Sequence, residues 1–186
     1  MAIRQVDLRG ALVADLPRGR IEGRDQRRLV AVPADWLEQL VTHARGAADT
    51  VGTALGAAIE ADARAILDGA QEASPEDVAY ALSVALATRG MGTVEFEQWG
   101  EALTLIWREP PGSGDALGEM FASTAARLVE AVSGQPISGA AVGRDGSSLR
   151  VLLASREVCD LARERIRRGE AFGEVLAHLE RRAEGA

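Results

Sequence analysis

Arg89–Gly112 reads "RGMGTVEFEQWGEALTLIWREPPG". Val94 and Phe96 alternate with Thr93, Glu95 and Glu97, and Leu103, Leu105 and Trp107 alternate with Thr104 and Ile106. Gly100 supplies a turn between the two runs, with Trp99 beside it, and Pro110-Pro111-Gly112 stops the second. Period-two alternation broken by a turn residue and ended by proline is the pattern of a β-hairpin. A second hairpin follows, because "PISGAAVG" and "SSLRVLLAS" flank Asp145-Gly146, a dipeptide suited to tight hairpin turns.

Both hairpins carry apolar side chains on two sides. If Val94, Phe96, Leu103, Leu105 and Trp107 face a core, Thr104 and Ile106 face away from it. Leu149, Val151 and Leu153 share one side of the last strand, and Leu152 lies on the other. An antiparallel sheet with one wet face alternates more cleanly than this. The second face therefore needs cover, from the chain's own helices or from another copy. Trp99, Ile106, Trp107 and Leu152 become interface candidates, since tryptophan is enriched in binding hot spots. The alternative for the tryptophans is a place in the core.

Helices fill most of the remaining chain. Pro33 starts "ADWLEQLVTHA", with Trp36, Leu37, Leu40 and Val41 on one stripe. The next helix carries Val51, Leu55, Ile59, Ala63 and Ile66, and its Gly52 and Gly56 lie on one face. Such a pair either lets two helix backbones approach or reflects chance in an Ala/Gly-rich chain. Ser74-Pro75-Glu76-Asp77 is a helix start with cap, proline and first-turn acids in place. "GDALGEMFASTAARLVEAVSG" closes at Gly134, and two helices follow, from Arg156 to Arg168 and after Gly169. Helices beside an antiparallel sheet of two hairpins make an α+β fold. The expected organisation is an irregular lead-in over 1–32, a core domain over 33–155 and C-terminal helices over 156–186. A short helical turn is expected near Ala11–Asp15.

Composition narrows the function. The 186 residues are 47% hydrophobic and 26% charged, with net charge −7, enough apolar material for a core without staples. A nucleic-acid partner is not expected, because no basic stripe stands out. The densest basic run, Arg163, Arg165, Arg167 and Arg168, is interleaved with Glu164 and Glu170 and reads as a solvated helix end, the alternative being an anion patch. No apolar run approaches the roughly 20 residues that cross a bilayer, and the N-terminus has no compact apolar signal core. With one cysteine, Cys159, the expected location is the cytoplasm and no membrane insertion is expected.

Groups for chemistry are scarce. His43 and His178 are the only histidines, and with Cys159 they offer no helical metal-ligand spacing. No metal, cofactor or catalytic residue is assigned. Cys159 reads as a small buried filler. Glu95 and Glu97 share one strand face at about 7 Å, as exposed strand glutamates ordinarily do. "GRDG" at Gly143–Gly146 lacks the strand-to-helix context of a phosphate loop and reads as a hairpin turn.

The order of "GTALGAAI", "GMGTVEFE", "REPPG" and "LVEAVSGQP" before a final hairpin resembles the TRAPP-like, vinyl-reductase-domain superfamily. The nearest likeness is to the D subunit of bacterial cellulose synthase, over about Trp36 to Ala154. That resemblance implies a non-enzymatic, self-associating scaffold or accessory subunit, at least a dimer, with a possible protein partner in a polysaccharide synthesis or export system. The alternative is a small-ligand-binding sensory domain of the vinyl-reductase kind, with an apolar pocket between sheet and helices near Trp36 or Phe121. Vinyl-reductase domains often carry a late cluster of cysteines or histidines; between Gly139 and Cys159 this chain has only Cys159. The C-terminal helices after Arg156 also depart from the cellulose synthase protein.

Overall fold

A computed structural model describes residues 12–15, 20–23, 28–30, 32–44, 46–67, 74–99 and 102–184. Its centre is a four-stranded antiparallel sheet in the order β4-β5-β7-β6. The strands are β4 (Thr93–Trp99), β5 (Ala102–Arg108), β6 (Ser138–Asp145) and β7 (Ser148–Ala154). The two hairpins expected from the sequence are therefore present, joined side by side through β5 and β7. The expected turn at Gly100 lies outside the described residues, whereas Gly146 takes the left-handed conformation (φ 57°) that the tight β6–β7 turn requires.

Register divides the sheet's side chains into two faces. Val94, Trp107 and Leu149 form one row across neighbouring strands, and Phe96, Leu105 and Val151 form the next. These residues belong to the main core, together with α3 (Pro75–Ala87) and α4 (Asp115–Ser133). α3 begins with a complete capping box: Ser74 Oγ accepts from the Asp77 N–H, and the Asp77 carboxylate accepts from the Ser74 N–H. α4 ends at Gly134 with φ 70°, its N–H returning to Glu130 O.

α2 (Ala48–Leu67) packs along α4, and the two glycines make that approach possible. A Cβ on Gly52 or on Gly56 would come under 3.0 Å from Met120 O or Arg127 Cβ respectively. The close-approach reading of the pair is correct for this helix contact. Thr124 donates across it to Gly52 O at 3.0 Å. α1 (Ala34–His43) lies against α4, with Val41 buried and Leu37 packed on the core.

The part of the opposite face on β6 and β7 is covered by the chain itself. α5 (Arg156–Arg167) and α6 (Phe172–Glu184) place Cys159, Ala162 and Val175 with Leu152, Ala140 and Val142 in a second apolar cluster. The expected irregular lead-in is corrected in part. β1 (Leu12–Asp15), β2 (Arg20–Gly23) and β3 (Arg28–Leu29) form a small antiparallel sheet, and β1 occupies the place of the expected helical turn. Pairing supplies the reason: Val13 meets Glu22 and Ala14 meets Ile21 across the ladder, and β-branched residues favour that partnered, extended state. No helix among the described residues is long and apolar enough to cross a membrane.

Candidate functional site

The sequence-derived candidates fall unevenly over the fold. Phe121 is fully buried on α4, and its ring centre lies 4.7 Å from that of Trp107 at 47°. This tilted pair forms the aromatic heart of the main core. The Trp107 indole N–H donates to Met91 O at 2.6 Å, so the ring is fixed by a polar anchor as well as by packing. Trp107 is 0% exposed and Leu152 0%, so neither is available to a second chain, and Ile106 is also buried at 9%. Main-core packing takes Trp107, and α5 and α6 cover Leu152, so within this chain neither presents a free surface. Trp99 pairs with Ala102 at the end of the hairpin; its side chain lies outside the described residues.

Trp36 and Phe121 do not share a pocket. Trp36 is 49% exposed, and so is Leu40 to 43%, because α1 turns Leu37 and Val41 inward instead. The sequence stripe is real, but it is wider than the face that is buried.

Around the Trp107–Phe121 pair, buried polar groups are satisfied. Ser83 Oγ donates to Val94 O at 2.8 Å and accepts from the Val94 N–H at 2.9 Å. Thr124 Oγ1 also donates to Met120 O at 2.9 Å. The second face differs. Glu97 Oε2 and Thr104 Oγ1 are buried there without a hydrogen-bond partner; Arg144 Nη2 on β6 and Arg165 Nε on α5 are also buried and lack one. Of these, Glu97 and Thr104 alone are directly opposite each other, in β4 and β5.

A cavity of about 540 Å³ opens between α2, α4, the start of β6 and α5. Its walls are polar. Ser123 Oγ donates to Asp49 at 2.7 Å, and Arg163 donates to Glu119 at 3.0 Å, to Asp160 at 2.9 Å and to Gly139 O at 2.5 Å. Arg127 pairs with Glu60 from α2. Acids and arginines alternate around this cleft and are occupied with one another, so it offers no strong field of either sign.

The titratable groups singled out in the sequence have structural partners. Glu95 is exposed and accepts from Arg108 at 2.8 Å; that hydrogen bond holds its carboxyl below the usual range. Cys159 is fully buried and donates to Ser138 O at 3.3 Å; burial pushes its thiol up. His43 Nδ1 meets Gln39 O at 2.7 Å, and His178 Nε2 meets Arg165 at 2.9 Å. Among the described residues, no group of three or more His, Cys, Asp or Glu side chains could hold a metal ion. The sequence gives no sign of Ser83, and it singles out Arg163 only within a basic run, without its partners Glu119, Asp160 and Gly139. The Glu97–Thr104 pair is not picked out from the sequence either, although the hairpin register holds a readable signal of it.

No family model matches this chain, and no curated protein matches it. The likeness to the TRAPP-like superfamily and to the cellulose synthase protein therefore gains no support from either comparison. Among solved structures, the chain is similar to the phenol-responsive sensory domain of the transcription activator PoxR, determined with phenol. The superposition has a TM-score of 0.59 at 13% identity and covers 88% of this chain and 97% of that one. At that identity the likeness is one of fold, and it takes in nearly the whole of both molecules.

Proposed function

We propose that this chain is a non-catalytic sensory-type domain that binds a small, largely apolar molecule in its interior. The single observation carrying this reading is the fold shared with a phenol-responsive sensory domain over 88% of the chain. The scarcity of histidine and cysteine agrees with binding rather than catalysis, and the single cysteine with a cytoplasmic setting.

The scaffold reading draws on the two-sided strands, the scarcity of catalytic groups and the resemblance to the cellulose synthase protein, with the second face covered by the chain's own helices or by another copy. The chain's own α5 and α6 provide cover over Leu152, so the two-sided strands no longer favour it. A thermal-shift series with phenol, toluene and larger aromatics tests the binding reading. A ligand that binds only the native state raises the melting temperature in proportion to the logarithm of its concentration. A flat response to all monocyclic aromatics would contradict the proposal.

A further inference from the structure

We infer that the second face of the central sheet carries a recognition point for a hydroxyl-bearing small molecule, formed by Glu97 and Thr104. The inference rests on the reading of the chain as a small-molecule binder and locates the polar contact on one particular face.

Glu97 on β4 and Thr104 on β5 are register partners. Side chains directly opposite on one face of an antiparallel pair lie about 5 Å apart. Glu97 Oε2 and Thr104 Oγ1 are both buried, and neither has a hydrogen-bond partner. Thr104 as a whole is 0% exposed. Buried polar atoms are nearly always paired, and orphans in a native structure call for an explanation. The arginines nearby on this face are engaged elsewhere: Arg108 pairs with Glu95 at 2.8 Å, and Arg150 stands 5.6 Å above the Phe172 ring.

A neutral hydroxyl complements this pair. Its O–H donates to the Glu97 carboxylate, and its oxygen accepts from the Thr104 O–H. An ammonium group could donate to both oxygens, but only a hydroxyl also offers an acceptor for the threonine proton. The apolar remainder of the ligand has neighbours of its own kind, since Leu152 is the register partner of Thr104 on β7 and Ile106 follows on the same face. Ser83, Trp107 and Thr124 of the main core are already hydrogen-bonded within the chain.

The test uses phenol and toluene as matched probes, titrated calorimetrically into the full chain and into Glu97→Met and Thr104→Val, two substitutions of similar volume. Each variant should weaken phenol about tenfold or more, the scale of a hydrogen bond to a charged group, and leave toluene unchanged. In the wild-type chain, methyl NMR should show the largest phenol-induced shifts at Ile106 and Leu152; this readout does not depend on either variant folding. Equal phenol affinity across the three proteins would overturn the assignment, as would shifts confined to Leu105 and Leu117 of the main core. Either result would leave small-molecule binding itself intact. Failure of both probes to bind the wild-type chain would remove the binding reading and this inference with it.

Discussion

Ser83 closes the free edge of the sheet. β4 is an edge strand, and the Val94 N–H and C=O that turn away from β5 meet one hydroxyl from α3. An edge strand with unpaired backbone groups invites pairing with other chains; here a side chain takes the partner's place. Ser83→Ala leaves a buried donor and acceptor unmade and should cost about 1–3 kcal/mol in urea unfolding. Cys159 makes a pH prediction. Its folded-state thiol titrates above the unfolded one because it is buried. Its stabilising contribution is thus fully present below the unfolded pKa of roughly 8.5 and is lost as pH rises through the folded value. Cys159→Ala should remove that part of the alkaline decline in stability, measured by chemical unfolding at pH 8 and pH 10. Cys159 was legible in the sequence as a buried filler because it sits among apolar positions of a helix. Ser83 was not, since alternation tells which side a residue faces and says nothing of what it touches across the fold.

At the scale of elements, spacing carried most of the information. Asp145-Gly146 placed a turn and Ser74–Asp77 a cap, whereas the four-residue interval between Gly52 and Gly56 left a close helix contact and chance both open until the packing of α2 on α4 decided it. A methyl on Gly52 has backbone at Met120 and the Ser123 side chain in its way, so α2 and α4 must separate to admit it. Gly52→Ala should therefore destabilise by about 2 kcal/mol or more, as overpacking does. Gly173, near the start of α6, has open space around it, and Gly173→Ala should instead stabilise by about 0.5–1 kcal/mol through helix propensity. Melting both variants beside the parent checks the contrast, which composition alone could not reveal. β1–β3 escaped the reading because short strands draw their stability from register partners, and "LVAD" has no internal period long enough to distinguish strand from helical turn.

At the scale of the whole molecule, the two-sided sheet explains the architecture. Val151 and Leu153 on one face and Leu152 on the other oblige the sheet to be sandwiched, with α3 and α4 against the Val151 face and α5 and α6 over part of the Leu152 face. The need for cover was legible in the sequence; its source was not, because an amphipathic helix shows that it has a buried face, here Cys159 and Ala162, and not which surface that face meets. Ending the chain at Ala154 would uncover Leu152, Ala140 and Val142. That truncated form should self-associate or aggregate under light scattering at concentrations where the full chain does not. A monodisperse, stable truncated domain would mean that α5 and α6 are dispensable to the fold.

The central claim is that this sandwich admits a small apolar molecule. Isothermal titration calorimetry of the full chain with phenol tests it most directly. The account predicts saturable binding at one molecule per chain, with a negative heat-capacity change from buried apolar surface. Titrations that show only dilution heat up to millimolar phenol and toluene would contradict it.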